Sequence, residues 1–137
     1  MDDVLLNKIA IVERCVKRIR EEYIGSEKDF ETNFTKQDAI ILNLQRACEA
    51  IVDLAARLIR LNNLGIFQKT REVFVILEDG KIISKDLSEK LQKMVGFRNI
   101  AVHDYKALNL AIVKSIIEKH LGDFLEFTKL ILGKYSK

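Results

Sequence analysis

The sequence predicts an all-α fold, an up-and-down bundle of four longer helices and one short one, on three observations. Proline is absent from the 137 residues, so no segment is barred from continuing a helix. Leucine, isoleucine, lysine and glutamate recur three or four apart, the period of a helix with one apolar face. Glycine numbers six and aromatics are 7%, too little turn and strand chemistry for a sheet. Short connections between the periodic runs suit neighbouring antiparallel helices. A chain of this length most simply makes one domain, residues 1–137, burying roughly two thirds of the surface its unfolded form exposes.

The first helix is read at residues 3 to 23, where Val4, Leu5, Ile9, Val12, Val16, Ile19 and Tyr23 share a face opposite Lys8, Glu13, Lys17, Arg18 and Glu21. Gly25 and Ser26 end it, and the polar stretch through Asn33 is a connection that holds Phe30 or Phe34 against the core. Thr35 followed by Asp38 resembles a capping box with aspartate in place of glutamate, opening the longest periodic run, from Lys36 to about Asn63. Its stripe of Ile40, Ile41, Leu44, Ala47, Cys48, Ile51, Leu54, Ala55, Leu58 and Ile59 is broad enough for more than one neighbour, which makes this the central helix. Asn62, Asn63 and Gly65 supply its stop.

Thr70 is expected to cap a short helix through Glu78, with Asp79 and Gly80 as its exit; a strand over Glu72 to Leu77 is the alternative, with no second strand evident to pair with it. Ser84, with Asp86 in the following turn, opens the next helix, which runs through Leu87 and Leu91 toward residues 98–105. Asn109 caps one last long helix whose buried face is Leu110, Val113, Ile117, Leu121, Phe124 and Leu125. Gly133 and the basic residues Lys134 to Lys137 close the chain.

The formal net charge of +3 arises from 23 basic and 20 acidic residues interspersed along the chain, so there is no polybasic arm and the balance does not favour nucleic acid over a neutral partner. Lys8, Arg14, Lys17, Arg18 and Arg20 on the first helix stand among Glu13, Glu21 and Glu22, the pattern of a solvated face. Cys15 and Cys48 sit in apolar helical stretches with no CxxC pair, which predicts buried, reduced thiols. No apolar run approaches the ~18 residues of a membrane span, and the N-terminus carries Asp2 and Asp3 in place of a basic leader. A cytoplasmic, soluble protein without membrane association is expected.

Glycine-rich phosphate loops (GxGxxG, GxxxxGK[ST]) and the GxSxG elbow are absent. His103 and His120 are seventeen residues apart without HxH or HxxxH spacing, so neither a metal nor any other cofactor is expected. His120, on the apolar face of the last helix, reads as a core or interface histidine satisfied by a hydrogen bond.

Chemistry concentrates in Arg98-Asn99-Ile100-Ala101-Val102-His103-Asp104-Tyr105. At about 100° per residue Leu87, Leu91 and Met94 form one helical stripe, and Arg98 falls within about 20° of Leu87 on it. A guanidinium is seldom placed there without a partner. Arg98 and His103 would lie about 140° apart on one straight helix. Either the helix ends or bends near Ala101, or a symmetric partner chain brings its own copy across an interface, with the stripe facing a dimer cleft rather than a closed core. Arg98 paired to a buried acid and His103 capping helix carbonyls is the structural reading. The chemical one is an arginine fork on a phosphate and a histidine moving a proton to or from a ribose hydroxyl.

The R-x4-H spacing from Arg98 to His103, with a polar residue directly after the arginine, resembles the signature of the HEPN superfamily of small helical ribonucleases. Tyr105 extends it to R-x4-H-x-Y, which is similar to the HepT toxins encoded beside an MntA-type minimal nucleotidyltransferase antitoxin. Lys8-Ile9-Ala10, Cys15-Val16-Lys17-Arg18-Ile19, the run from Ile41 to Ala50 and Lys93-Met94-Val95-Gly96-Phe97 also read like that family. The resemblance implies a HEPN-like helical domain and a homodimeric, metal-independent endoribonuclease whose two motifs meet at a cleft between protomers. Arg98 would then stabilise the scissile phosphate, His103 would act as acid or base, and Asn99 would support them. Asp104 either orients His103 or caps the chain. Tyr105 would accept AMP transferred from ATP by the cognate antitoxin, silencing RNA cleavage. A non-catalytic nucleotide- or RNA-binding subunit of a nucleotidyltransferase complex is the alternative.

Overall fold

The computed structural model describes residues 2–103 and 109–135; the side chains of Arg98 and of residues 100–103 lie outside that description. Its elements are α1 (Asp3–Tyr23), α2 (Phe34–Leu61), α3 (Glu72–Asp79), α4 (Lys85–His103), α5 (Leu110–Lys119) and α6 (Leu121–Tyr135), with no strand among the described residues. The all-α class therefore stands, and the strand considered for residues 72–77 is instead α3.

Helix α1 begins where Asp2 accepts the Leu5 N–H at 3.1 Å and ends before Gly25, whose φ of +86° suits the residue that closes a helix without a Cβ. Three ion pairs fix its antiparallel register on α2: Asp2 with Arg57 at 2.7 Å, Lys8 with Asp53 at 2.9 Å and Glu22 with Lys36 at 3.3 Å. The paired numbers run in opposite directions, as antiparallel helices demand. In the connection Phe30 is fully buried, meets Tyr23 edge-on at 5.5 Å, and offers its carbonyl to Gln37 Nε2 at 2.7 Å; Phe34 is exposed.

All ten apolar positions expected on the central helix are buried, and α2 packs on α1, α3 and α4. Its cap is Asn33, which accepts the Lys36 N–H at 3.1 Å, so Thr35 lies inside the first turn and the anticipated capping box is not formed. Asn63, at φ 52°, turns the chain out of α2 while the Leu64 N–H bonds the Ile59 carbonyl. Helix α3 lacks the Thr70 cap: it starts at Glu72 with no side-chain cap bond. After it, the left-handed residue is Lys81, at φ 61°, and Gly80 is needed for space, since a Cβ there would stand 3.1 Å from the Leu64 side chain.

Ser84 accepts the Leu87 N–H at 3.1 Å and caps α4 as read. Asn109 accepts the Ala111 N–H at 2.8 Å and caps α5. The one long final helix is in fact two. At His120 the backbone leaves helical geometry (φ −123°, ψ −2°), the His120 N–H bonds Ile116 and the Asp123 N–H bonds the His120 carbonyl. Buried side chains from Leu5 to Ile131 join one hydrophobic core, and Cys15 and Cys48 are buried inside it and form no disulfide.

Tyr23 and Glu118 tie α1 to α5 through a 2.6 Å hydrogen bond, and burial plus that carboxylate push the tyrosine up to about 12. The native state therefore holds the neutral phenol more tightly than the unfolded chain does. Its contribution is complete below the ordinary value near 10 and is lost as pH rises toward about 12, by about 2–3 kcal/mol. Urea unfolding of the parent and Tyr23→Phe across that interval should give curves that converge with rising pH. A constant difference would contradict the linkage.

Candidate active site

Helix α4 is anchored into the core through Leu87, Leu91, Met94, Val95 and Phe97, all buried. The stripe expected to face a cleft is thus closed core as far as Met94, because α2 and α3 pack across it. The Cys48 thiol donates to the Met94 carbonyl at 3.4 Å, tying α2 to the turn of α4 that precedes Arg98. Asn99 is half-buried.

The expected ending near Ala101 is not found: α4 continues to His103. Arg98 and His103 are thus on one helix, about 140° apart around its axis, because each residue advances about 100°. Asp104 and Tyr105 lie outside the described residues.

Beside the turns that lead into Arg98 is a cavity of about 480 Å³, lined by Lys90, Lys93, Met94, Gly96 and Phe97 of α4 and by Asn109, Ile112, Ser115, Ile116, His120 and Asp123. Ile112 is 52% exposed on its rim. Asp123, buried in the first turn of α6, holds His120 Nδ1 at 3.2 Å across the break between α5 and α6. Lys90 reaches Asp86 at 2.9 Å, Glu126 at 3.8 Å and Asp123 at 4.0 Å, and the Asp86 bond holds its ammonium above the usual lysine range. Lys93 is exposed and has no ion pair among the described residues.

His120 is therefore hydrogen-bonded as expected, yet half-exposed at a helix break rather than in the core. The cavity was missed in the sequence; its trace there is the i, i+3, i+4 spacing of Lys90, Lys93, Met94 and Phe97 beside Ile112, Ile116 and His120. Among the described residues no group of three or more histidine, cysteine, aspartate or glutamate side chains could hold a metal, and no helix is long and apolar enough to cross a membrane.

The family described as ribonuclease HepT-like matches residues 12–131. The chain is 49% identical over 131 residues to the mRNA nuclease HepT of Shewanella oneidensis, covering 96% of this chain and 98% of that protein. The structure of a tri-AMPylated Shewanella oneidensis HEPN toxin in complex with MNT antitoxin superposes with a TM-score of 0.93 at 47% identity, over 98% of this chain and all of that one. A toxin–antitoxin structure with AMP-PNP gives 0.92 at 47% identity, over 97% of this chain and 100% of its counterpart.

Proposed function

The chain belongs to the ribonuclease HepT-like family, and from that premise we propose that it is a toxin endoribonuclease that cleaves RNA at a cleft between two copies and is silenced by AMP transfer to Tyr105. The observation that carries this reading is the near full-length identity to an mRNA nuclease, with an arginine and a histidine of suitable chemistry on α4. Two copies are invoked because about 140° of helix separates Arg98 from His103.

The chemistry needs no metal. One His103 takes the proton of the 2′-hydroxyl, whose oxygen attacks the adjacent phosphorus. The bond to the 5′-oxygen breaks, and the partner copy's histidine protonates that leaving oxygen. Arg98 holds the phosphate and stabilises the charge that builds on its oxygens. Asn99 and Asp104 are supporting polar groups. The products are a 2′,3′-cyclic phosphate and a free 5′-hydroxyl.

Control runs through the partner nucleotidyltransferase. The Tyr105 oxygen attacks the α-phosphorus of ATP, pyrophosphate leaves, and the tyrosine becomes an AMP ester. The tri-AMPylated state of the similar toxin, in complex with its antitoxin, supports this assignment.

Purified protein should cut RNA in excess EDTA and leave 2′,3′-cyclic phosphate ends, read by mass spectrometry of the fragments. Cleavage that vanishes with the chelator and returns with a divalent cation would rule the metal-free mechanism out.

A further inference from the structure

The cavity beside the last turns of α4 has the form of a small-ligand site, concave and within the range of about 300–1,000 Å³ that such sites occupy. Its walls are apolar at Met94, Phe97 and Ile116, while Ile112 leaves apolar surface in water at the rim. Polar groups converge on the same space. Asp123 fixes the His120 ring through Nδ1, which leaves Nε2 to meet a ligand, and Lys93 stands at the edge as a cation with no ion pair among the described residues.

We infer that this cavity receives one nucleotide of the RNA, its base between Phe97 and Ile112, its edge on His120 and its phosphate on Lys93. The inference rests on the RNA-cleaving reading above and adds a subsite to it. A planar base supplies apolar faces for the walls and a hydrogen-bonding edge for His120, and its phosphate matches Lys93 in charge. Position fits as well. Met94 is four residues before Arg98, about 6 Å of rise, the scale of one to two nucleotide steps along a strand. A second copy is the poorer occupant, because the centres of such interfaces are depleted of charge, whereas Lys90, Lys93 and Asp123 all line this cavity.

The test uses full-length protein with 5′-AMP, with a fully 2′-O-methylated oligoribonucleotide, which binds but cannot be cut, and with the unmodified oligoribonucleotide for the cleavage kinetics. Ile112→Trp fills the cavity from an exposed position, and His120→Gln keeps its volume but alters the polar edge. 5′-AMP should shift the backbone amide signals of Ile112, Ile116 and His120. Each variant should bind the oligonucleotide about tenfold more weakly and raise KM for cleavage while leaving kcat near the parent's. Lys93→Gln should weaken binding and lower the slope of affinity against salt by about one. Unchanged affinity in Ile112→Trp and His120→Gln overturns the inference. So does an Ile112→Trp protein that sediments as a monomer with nucleotide affinity intact, since the cavity is then an interface between copies. Failure of the RNA-cleaving reading is recognised separately: the parent itself never cuts RNA, and 5′-AMP binding then decides the cavity alone.

Discussion

Replacing His103 with alanine is expected to lower RNA cleavage by about 10²–10⁴-fold, the usual worth of a positioned acid or base, with little change in melting temperature. Arg98→Ala should cost a comparable factor, and Arg98→Lys should recover only part of it, because an ammonium cannot reproduce a two-pronged contact with phosphate. The geometry of α4 adds a sharper test. Because the cleft takes its base from one copy and its acid from the other, a dimer of one parent chain and one His103→Ala chain should be about as inactive as the doubly substituted dimer. If each chain is self-sufficient, such a dimer keeps about half of the parent's rate. A His103→Ala protein that cuts as fast as its parent sinks the catalytic assignment. Under the rival reading of a non-catalytic binding subunit, no preparation cuts RNA, and Arg98→Ala weakens only binding. A helical interaction module without a ligand would show changes in folding or dimerisation alone.

What was legible in the sequence follows from how far each signal reaches along the chain. The bounds of α1 and the ten buried positions of α2 are written in local periodicity, and the structure agrees residue by residue. Caps are less secure because good capping residues crowd together. Asn33 and Thr35 stand two apart, and Asn33 makes the bond. The break at His120 carries no proline to mark it in the sequence; at it, Asp123 binds the ring of His120 and its N–H bonds the His120 carbonyl. The cavity was illegible for a different reason. It exists only where α4 meets α5 and α6, and which residues face each other there is set by packing across the core. As for Arg98 and His103, their residue types and spacing point to phosphate chemistry, but an isolated helix period cannot say whether they act together, and both stand on α4.

Tyr105→Phe is expected to retain RNA cleavage near the parent's rate and to escape silencing completely. Phenylalanine keeps the ring, so any packing role of the tyrosine survives, while the oxygen that would attack ATP is gone. Co-expression with the nucleotidyltransferase should add mass to the parent in steps of one AMP, mapped to Tyr105, and add none to the variant. A variant that still gains AMP and falls silent would place the acceptor elsewhere. The mode of silencing can be argued further. Each AMP ester adds one negative charge to a chain with a formal net charge of +3, so even three leave it neutral rather than negative, too little to repel RNA from the molecule as a whole. Inhibition must then come from bulk and charge set two residues from His103. Repulsion at long range fades as salt shortens the screening length to about 3 Å at 1 M, whereas a filled cleft does not reopen. The modified parent should therefore remain inactive across salt concentrations at which unmodified protein still cuts, and recovery of cleavage with added salt would assign the silencing to charge.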